Sequence, residues 1–331
     1  MKAVGYHTAG PSSVLADLEL PDPQPGPRDL LVAVSAVSVN QVDVKLRAKA
    51  SPKEGAKVLG FDVAGIVQAV GEDVTLFRPG DEVFYAGAID RQGGNAALQV
   101  VDERIVGPKP KSLTMVEAAA LPLTALTAWE LLFEKLGVAR DQPGGGLLVI
   151  NGAGGVGSIL IQLASRLTGL TVIATASRPQ SVEWVKRMGA QHVIDHRQPL
   201  DEQVRALGLR HVRYVAGLTD TDKRLPEIAK LIAPLGVLGV VDDCPSLDIT
   251  PLRGKGVTVA WEGMFVRSLF KTPDMIEQHR ILIEVSALID AGILETTLAH
   301  DAGPLDAANL AAAHAVLESG QAIGKTALTV G

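Results

Sequence analysis

Apolar residues in the first third of the chain fall into short runs separated by turn residues. LLVAVSAVSVN follows the turn-rich PDPQPGPRD, and the runs VAGIVQAVG and DEVFYAG are separated by FRPGD. Runs of this length between Gly/Pro/Asp clusters predict strands, so the chain is expected to be β-rich up to about residue 115. The pattern then changes to a helical one in MVEAAALPLTALTAWELLFEKLG, with an interruption expected at Pro122. Beyond it, strands and helices alternate. LLVI, LTVIATA, QHVID, VRYVAGL and GVLGVVDD read as strands, and SILIQLASRLTG, PQSVEWVKRMG and PEIAKLIAPLG as helices. Such alternation predicts a doubly wound parallel sheet. The tail from about residue 265 is mixed, with a helix over MIEQHRILIEVSALIDAG and a final strand KTALTV.

Composition narrows the function. A chain of 331 residues suits about two domains. The net charge of -6 comes without a basic block, so neither nucleic acid nor a membrane is an expected partner. The single cysteine, Cys244, rules out an intrachain disulfide and a multi-thiolate zinc site, and is expected to be an unreactive thiol. Residues 142–165 carry no charge, but their glycine cluster and Asn151 disfavour a spanning helix. The N-terminal segment has no apolar signal region, and a cytoplasmic enzyme or binding protein is the expectation.

The uncharged stretch holds a motif. In LLVINGAGGVGSILIQLA, Gly152, Gly154 and Gly157 have GxGxxG spacing, directly after a strand and opening a helix. In that context Gly152 permits the turn, Gly154 lets the backbone approach a pyrophosphate, and Gly157 allows close helix packing, with Gly155 and Val156 at the helix start. The next strand ends in Ser177 and Arg178, where an NAD site would carry an acid. A guanidinium there suits a 2′-phosphate, so NADP(H) is the expected cofactor. His192 and His196 lie four residues apart on a strand, about 13 Å, too far for one metal ion.

Residues 60–81, GFDVAGIVQAVGEDVTLFRPGD, resemble the signature of the medium-chain dehydrogenase/reductase superfamily. Its zinc alcohol dehydrogenases carry Gly-His-Glu where this chain has Gly60, Phe61 and Asp62, and a cysteine where it has Asn40. Phe and Asn are not zinc ligands of the usual kind. The chain is most similar to the zinc-independent quinone oxidoreductases and the bacterial zinc-type alcohol dehydrogenase-like proteins. The matches are SVNQVDVKLRA, LPLTALTAWELLF, AGGVGS, WEGMFVRSLFKTPDM and AHAVLESGQAIGKTAL. The resemblance implies an α/β chain: a GroES-like β-rich catalytic domain (residues 1–120 and 265–331) with a Rossmann doubly wound parallel-sheet domain (121–264) inserted. It implies an active site in the cleft between them, and a homodimer. It puts Asn40 and Thr127 on the nicotinamide side, and Arg178 and His196 at the 2′-phosphate or adenine edge. Lys325 falls in a C-terminal lysine motif near the cleft, counted among the cofactor-binding residues. No tyrosine follows Asn40, as it does in many quinone oxidoreductases, so no proton donor is evident.

Without a Lewis acid, reduction of a quinone or an α,β-unsaturated carbonyl is favoured, because its developing charge spreads onto an oxygen that hydrogen-bond donors can hold. The candidate catalytic residues are Asn40, Thr127 and Lys45, with Asp43 positioning Lys45 or relaying a proton. A solvated charged face is the alternative for Asp43, Lys45 and Arg47. Trp261 and Phe265 are expected to pack or to form cleft wall rather than a stacking site, and Glu262 and Arg267 to pair with each other or line the cleft. The expected activity is NADPH-dependent quinone or enone reduction. The alternatives are an NADPH-binding sensor or structural protein with little turnover, and a disfavoured zinc alcohol dehydrogenase.

Overall fold

The computed structural model describes residues 1–331. The chain forms two compact units, one of Met1–Leu126 with Phe265–Gly331, the other of Thr127–Met264. The first join lies inside the helix Pro122–Trp129, a few residues beyond the 120/121 join expected from sequence.

The first unit is β-rich and GroES-like. Its main sheet runs Leu298–Pro304, Lys325–Thr329, Asp29–Ser38, Val63–Val70, Glu82–Tyr85, Val106–Pro108, and Leu98–Asp102 also pairs with Asp29–Ser38. A smaller sheet joins Ala16–Glu19, Lys2–Tyr6 and Lys57–Val58. In Asp29–Ser38 burial alternates residue by residue, as one covered face requires, then becomes continuous over Val37–Ser38. Register brings three distant segments to that buried end, since Val37 pairs with Val63 and Ser38 with Ala327.

The second unit is Rossmann-like. Its six strands lie in the order His192–Ile194, Thr171–Thr175, Gly146–Ile150, Val212–Gly217, Ile232–Val240, Thr258–Trp261, all parallel. In chain order this is 3-2-1-4-5-6, the dinucleotide-binding arrangement. Leu148, Ile173, Val215 and Leu238 fill one continuous core.

Two details depart from the sequence pattern. The helix expected to run through PEIAKLIAPLG stops at Leu231, and a strand begins at Ile232, which pairs with Val212. Pro234 has no N–H to continue a helix. ELLFEK is a π-helix, Glu130–Lys135, with the Leu136 N–H donating to the Leu131 carbonyl at 2.8 Å. Pro122 divides the preceding segment as expected, opening Pro122–Trp129 where its missing N–H costs nothing.

Candidate active site and cofactor-binding residues

At the buried end of the main sheet of the first unit, a charged network replaces the surface face that the sequence allowed for Asp43 and Arg47. Asn40 precedes the helix Gln41–Lys49, and its N–H donates to Asp43 Oδ2 at 2.8 Å. The other Asp43 oxygen accepts the Gly60 N–H at 2.9 Å. Gly60 has φ +108°, and a Cβ there would lie 2.5 Å from Asn95 Oδ1, so only glycine fits. Burial pushes the Asp43 carboxyl up to about 7; the two amide donors and the Lys325 charge oppose it, and Asp62 adds to it. Its two oxygens accept from the backbone amides of Asn40 and Gly60.

Asp62, fully buried, is the centre of the network. Oδ2 accepts from Ser38 Oγ and Asn40 Nδ2 at 2.8 Å each and lies 2.8 Å from Lys325 Nζ. Oδ1 accepts the Leu123 N–H at 2.7 Å, which puts the carboxylate at the N-terminus of Pro122–Trp129, where an anion is stabilised. Lys325 also donates to Val39 O at 2.7 Å and Asn40 Oδ1 at 2.5 Å. Its ammonium is thus engaged by three partners inside the first unit. The Asn40 amide is likewise engaged, by Asp62 and, at 3.4 Å, by Phe61 O.

These residues do not fit a zinc ion. The Asp62 carboxylate already has an ammonium against it, Phe61 offers no donor atom and packs edge-on against Phe265 at 5.3 Å, and no three His, Cys, Asp or Glu side chains cluster as a metal group. Lys45 is half-buried on Gln41–Lys49. Thr127 is buried on Pro122–Trp129, the helix whose start Asp62 caps. Cys244 is half-buried beside Asp242 at 3.5 Å, and burial pushes its thiol up, away from reactivity. Arg267 pairs with Asp274 at 3.0 Å.

In the second unit Gly146–Ile150 leads into Gly152–Gly157 and the helix Gly155–Leu167. A Cβ on Gly157 would lie 2.6 Å from the carbonyls of Asn151 and Gly152, which is the close helix–strand approach expected of it. Gly152 and Gly157 are buried, while Gly154, Gly155 and Val156 are half-exposed at the helix N-terminus, a position suited to a pyrophosphate. Arg178 caps the start of Pro179–Met188, next to Ser177, and both are half-buried. His196 is half-buried too. Its burial, and then the charges of Arg224, Arg197 and Arg178, hold its imidazole below the usual range, against Asp195. Arg197, which donates to the Ser177 carbonyl at 3.0 Å, and Arg224 are cationic neighbours that the motif did not point to. Arg197 is paired with Asp195 at 2.6 Å and Arg224 with Glu227 at 3.3 Å, and the Arg178 guanidinium next to Ser177 is the group that suits a 2′-phosphate.

Two family models match the chain, the alcohol dehydrogenase GroES-like domain over residues 26–111 and the zinc-binding dehydrogenase family over 155–279. The zinc-type alcohol dehydrogenase-like protein of Staphylococcus aureus MSSA476 is 41% identical over 312 residues, 93% of this chain and 92% of the relative. The mouse mitochondrial NAD(P)H oxidoreductase RTN4IP1 is 31% identical, with 92% of this chain and 82% of the relative covered. A Rhizobium etli crystal structure assigned to the zinc-dependent alcohol dehydrogenases superposes with a TM-score of 0.96 at 54% identity, over 99% of this chain and 98% of that one. A Pseudomonas syringae quinone oxidoreductase structure superposes with a TM-score of 0.85 at 25% identity, over 99% of each chain.

Proposed function

Because the chain belongs to the medium-chain dehydrogenase/reductase superfamily, we propose that it is an NADPH-dependent, zinc-independent oxidoreductase that reduces a quinone or an α,β-unsaturated carbonyl. The observation that carries this reading is the Lys325 ammonium 2.8 Å from Asp62, beside Phe61, in the segment where a catalytic zinc would need ligands. A fixed ammonium neutralises the buried acid, and the chemistry is left to hydrogen-bond donors. NADPH, when bound, supplies a hydride from its nicotinamide. Gly154, Gly155 and Val156 hold its pyrophosphate, and Ser177, Arg178 and His196 its 2′-phosphate. The Thr127 hydroxyl holds the charge that develops on the acceptor oxygen. Asn40, Asp43 and Asp62 keep the start of each adjoining helix in place, and Lys45 stands at the half-buried face of the first of them.

The test is steady-state NADPH oxidation. 1,4-Benzoquinone and simple enones should be turned over, ethanol with NADP⁺ should not, and the purified protein should hold no stoichiometric zinc. Thr127→Ala should lower kcat by roughly 10²-fold while changing NADPH affinity little. Robust ethanol oxidation that is lost on chelation would overturn this reading. A second reading, an NADPH-binding sensor with little turnover, is favoured by the internal commitment of the Asn40 and Lys325 donors; tight NADPH binding with no oxidation by any acceptor would select it.

A further inference from the structure

Glu262 follows the last strand of the six-stranded sheet, and its N–H continues the pairing by donating to Val240 O at 2.9 Å. The side chain turns inward and is 6% exposed. Both its oxygens are buried with no N–H or O–H donor of the chain in reach. What lies against it is a second carboxyl, that of Glu130, the first residue of the π-helix Glu130–Lys135, itself 3% exposed and within hydrogen-bonding reach. Two carboxylates are both acceptors, so this contact is a hydrogen bond only when one of them carries a proton. Two buried like charges at short range would otherwise repel.

The surroundings agree with the geometry. Burial first, then the Glu130 charge and the hydrogen bond to it, push the Glu262 carboxyl up to about 9, with Glu134 adding to the push and Lys135 opposing it. The pair therefore holds one proton at neutral pH. Its place also matters. Glu262 sits past the carboxyl end of its strand, the edge at which parallel sheets take their ligands. The corner at Arg178 and His196 lies on the other half of the sheet, beyond Thr171–Thr175 and His192–Ile194. Glu130 follows Thr127 by three residues, one helical turn. Single π-helical turns inside α-helices recur at functional sites.

We propose that Glu130 and Glu262 form a one-proton carboxyl pair that supplies the proton consumed with each hydride. This inference rests on the hydride-transfer reading above. Reduction of a quinone or an enone takes up one hydride and one proton. The hydride's electron pair makes the new bond to the acceptor and leaves an oxyanion. A proton then leaves the shared bond between the two carboxyls, passes by way of the Thr127 hydroxyl, and forms the new O–H bond. The pair is left as two carboxylates and takes its next proton from water. One proton per turnover is what the reaction needs and what the pair holds. Both glutamates are positioning residues in this scheme, since they act through Thr127.

Infrared difference spectroscopy on the cofactor-free protein, with Glu262→Gln and Glu130→Gln as controls, tests the first half. The carbonyl band of a protonated carboxylic acid should be present at pH 7 and lost in either variant, with circular dichroism unchanged. The second half is read from kcat against pH. In the unmodified protein kcat should fall as pH rises through about 9, the value to which burial and Glu130 push Glu262. In Glu262→Gln it should be roughly 10²-fold lower and flat on that side, with NADPH affinity unaltered and the solvent isotope effect on kcat changed. Absence of the band at pH 7, its survival in both variants, or a native pH profile in Glu262→Gln would overturn the proposal. If none of the quinones or enones tried supports NADPH oxidation by the unmodified protein while the band behaves as expected, the reaction reading is what has failed. If it turns over and the band is absent, the carboxyl pair is what has failed.

Discussion

Arg178 and Lys325 carry the same charge into opposite surroundings. Arg178 is half-buried at the start of a helix, close to His196, where Arg197 is paired with Asp195 and Arg224 with Glu227. Arg178→Ala should cost about 1.5–3 kcal/mol of NADPH binding and leave NADH nearly untouched, as titration of both cofactors would reveal. Equal weakening of both would remove the phosphate assignment. Lys325 is 3% exposed and spends its donors on Val39, Asn40 and Asp62. In the same titration Lys325→Met should leave the NADPH preference alone, and urea denaturation should show a loss of about 3–5 kcal/mol, because Asp62 is left buried without its counter-charge. The glycine loop and the missing acid after it were readable from the chain, since both are local. The partner of Asp62 was not. An acid in an apolar run, LGFDVAG, signals a buried charge that must be met, but the group that meets it stands at position 325 and comes beside it only through strand register.

At the level of elements, the helix Gln41–Lys49 is fixed at both ends. Asn40 and Asp43 hold its start. Four residues after Asp43, Arg47 is fully buried and reaches the helix Ala307–Glu318, where Nη1 lies 3.2 Å from His314 Nδ1 and Nη2 donates to the Glu318 carboxylate. Nε donates to Gly10 O at 3.2 Å. A run of Asp, Lys and Arg at this spacing reads as a solvated face because the sequence shows the charges without the helix that covers them. Burial, and then the Arg47 charge, hold the His314 imidazole down at about 4. A folded value below the ordinary 6.5 means that the unfolded chain binds the extra proton first. The contribution of His314 is therefore complete above pH 6.5 and drains away as pH falls towards 4. Thermal unfolding followed across that window should show His314→Gln losing less stability on acidification than the unmodified protein. Parallel curves would remove His314 from the clamp.

Across the whole molecule, the strand–helix rhythm gave away the parallel sheet and the turn spacing gave away the β-rich unit, because both are periodic along the chain. The pairing of Glu130 with Glu262 and the π-helical winding of Glu130–Lys135 carry no such period. The strand Thr258–Trp261 ends the six-stranded sheet with one edge unpaired, and its Trp261 is 56% exposed. An open edge with an exposed tryptophan is a surface that a second copy can cover by extending the sheet across a two-fold axis. Light scattering at micromolar concentration should give the mass of a homodimer, and Trp261→Glu should shift it towards the monomer. A strictly monomeric mass for the unmodified chain would contradict this.

The bond between Asp62 and Lys325 also sets a timetable. A ribosome adding about 5–20 residues per second makes Asp62 roughly 13–50 s before it makes Lys325. Throughout that interval the nascent first unit has its strands from Asp29 to Val70 but not the ammonium that neutralises their buried acid. The inserted second unit, Thr127–Met264, is synthesised in full before Lys325 is added. The middle of the polypeptide is thus free to fold during translation, while the beginning waits, open, for the final strand to arrive.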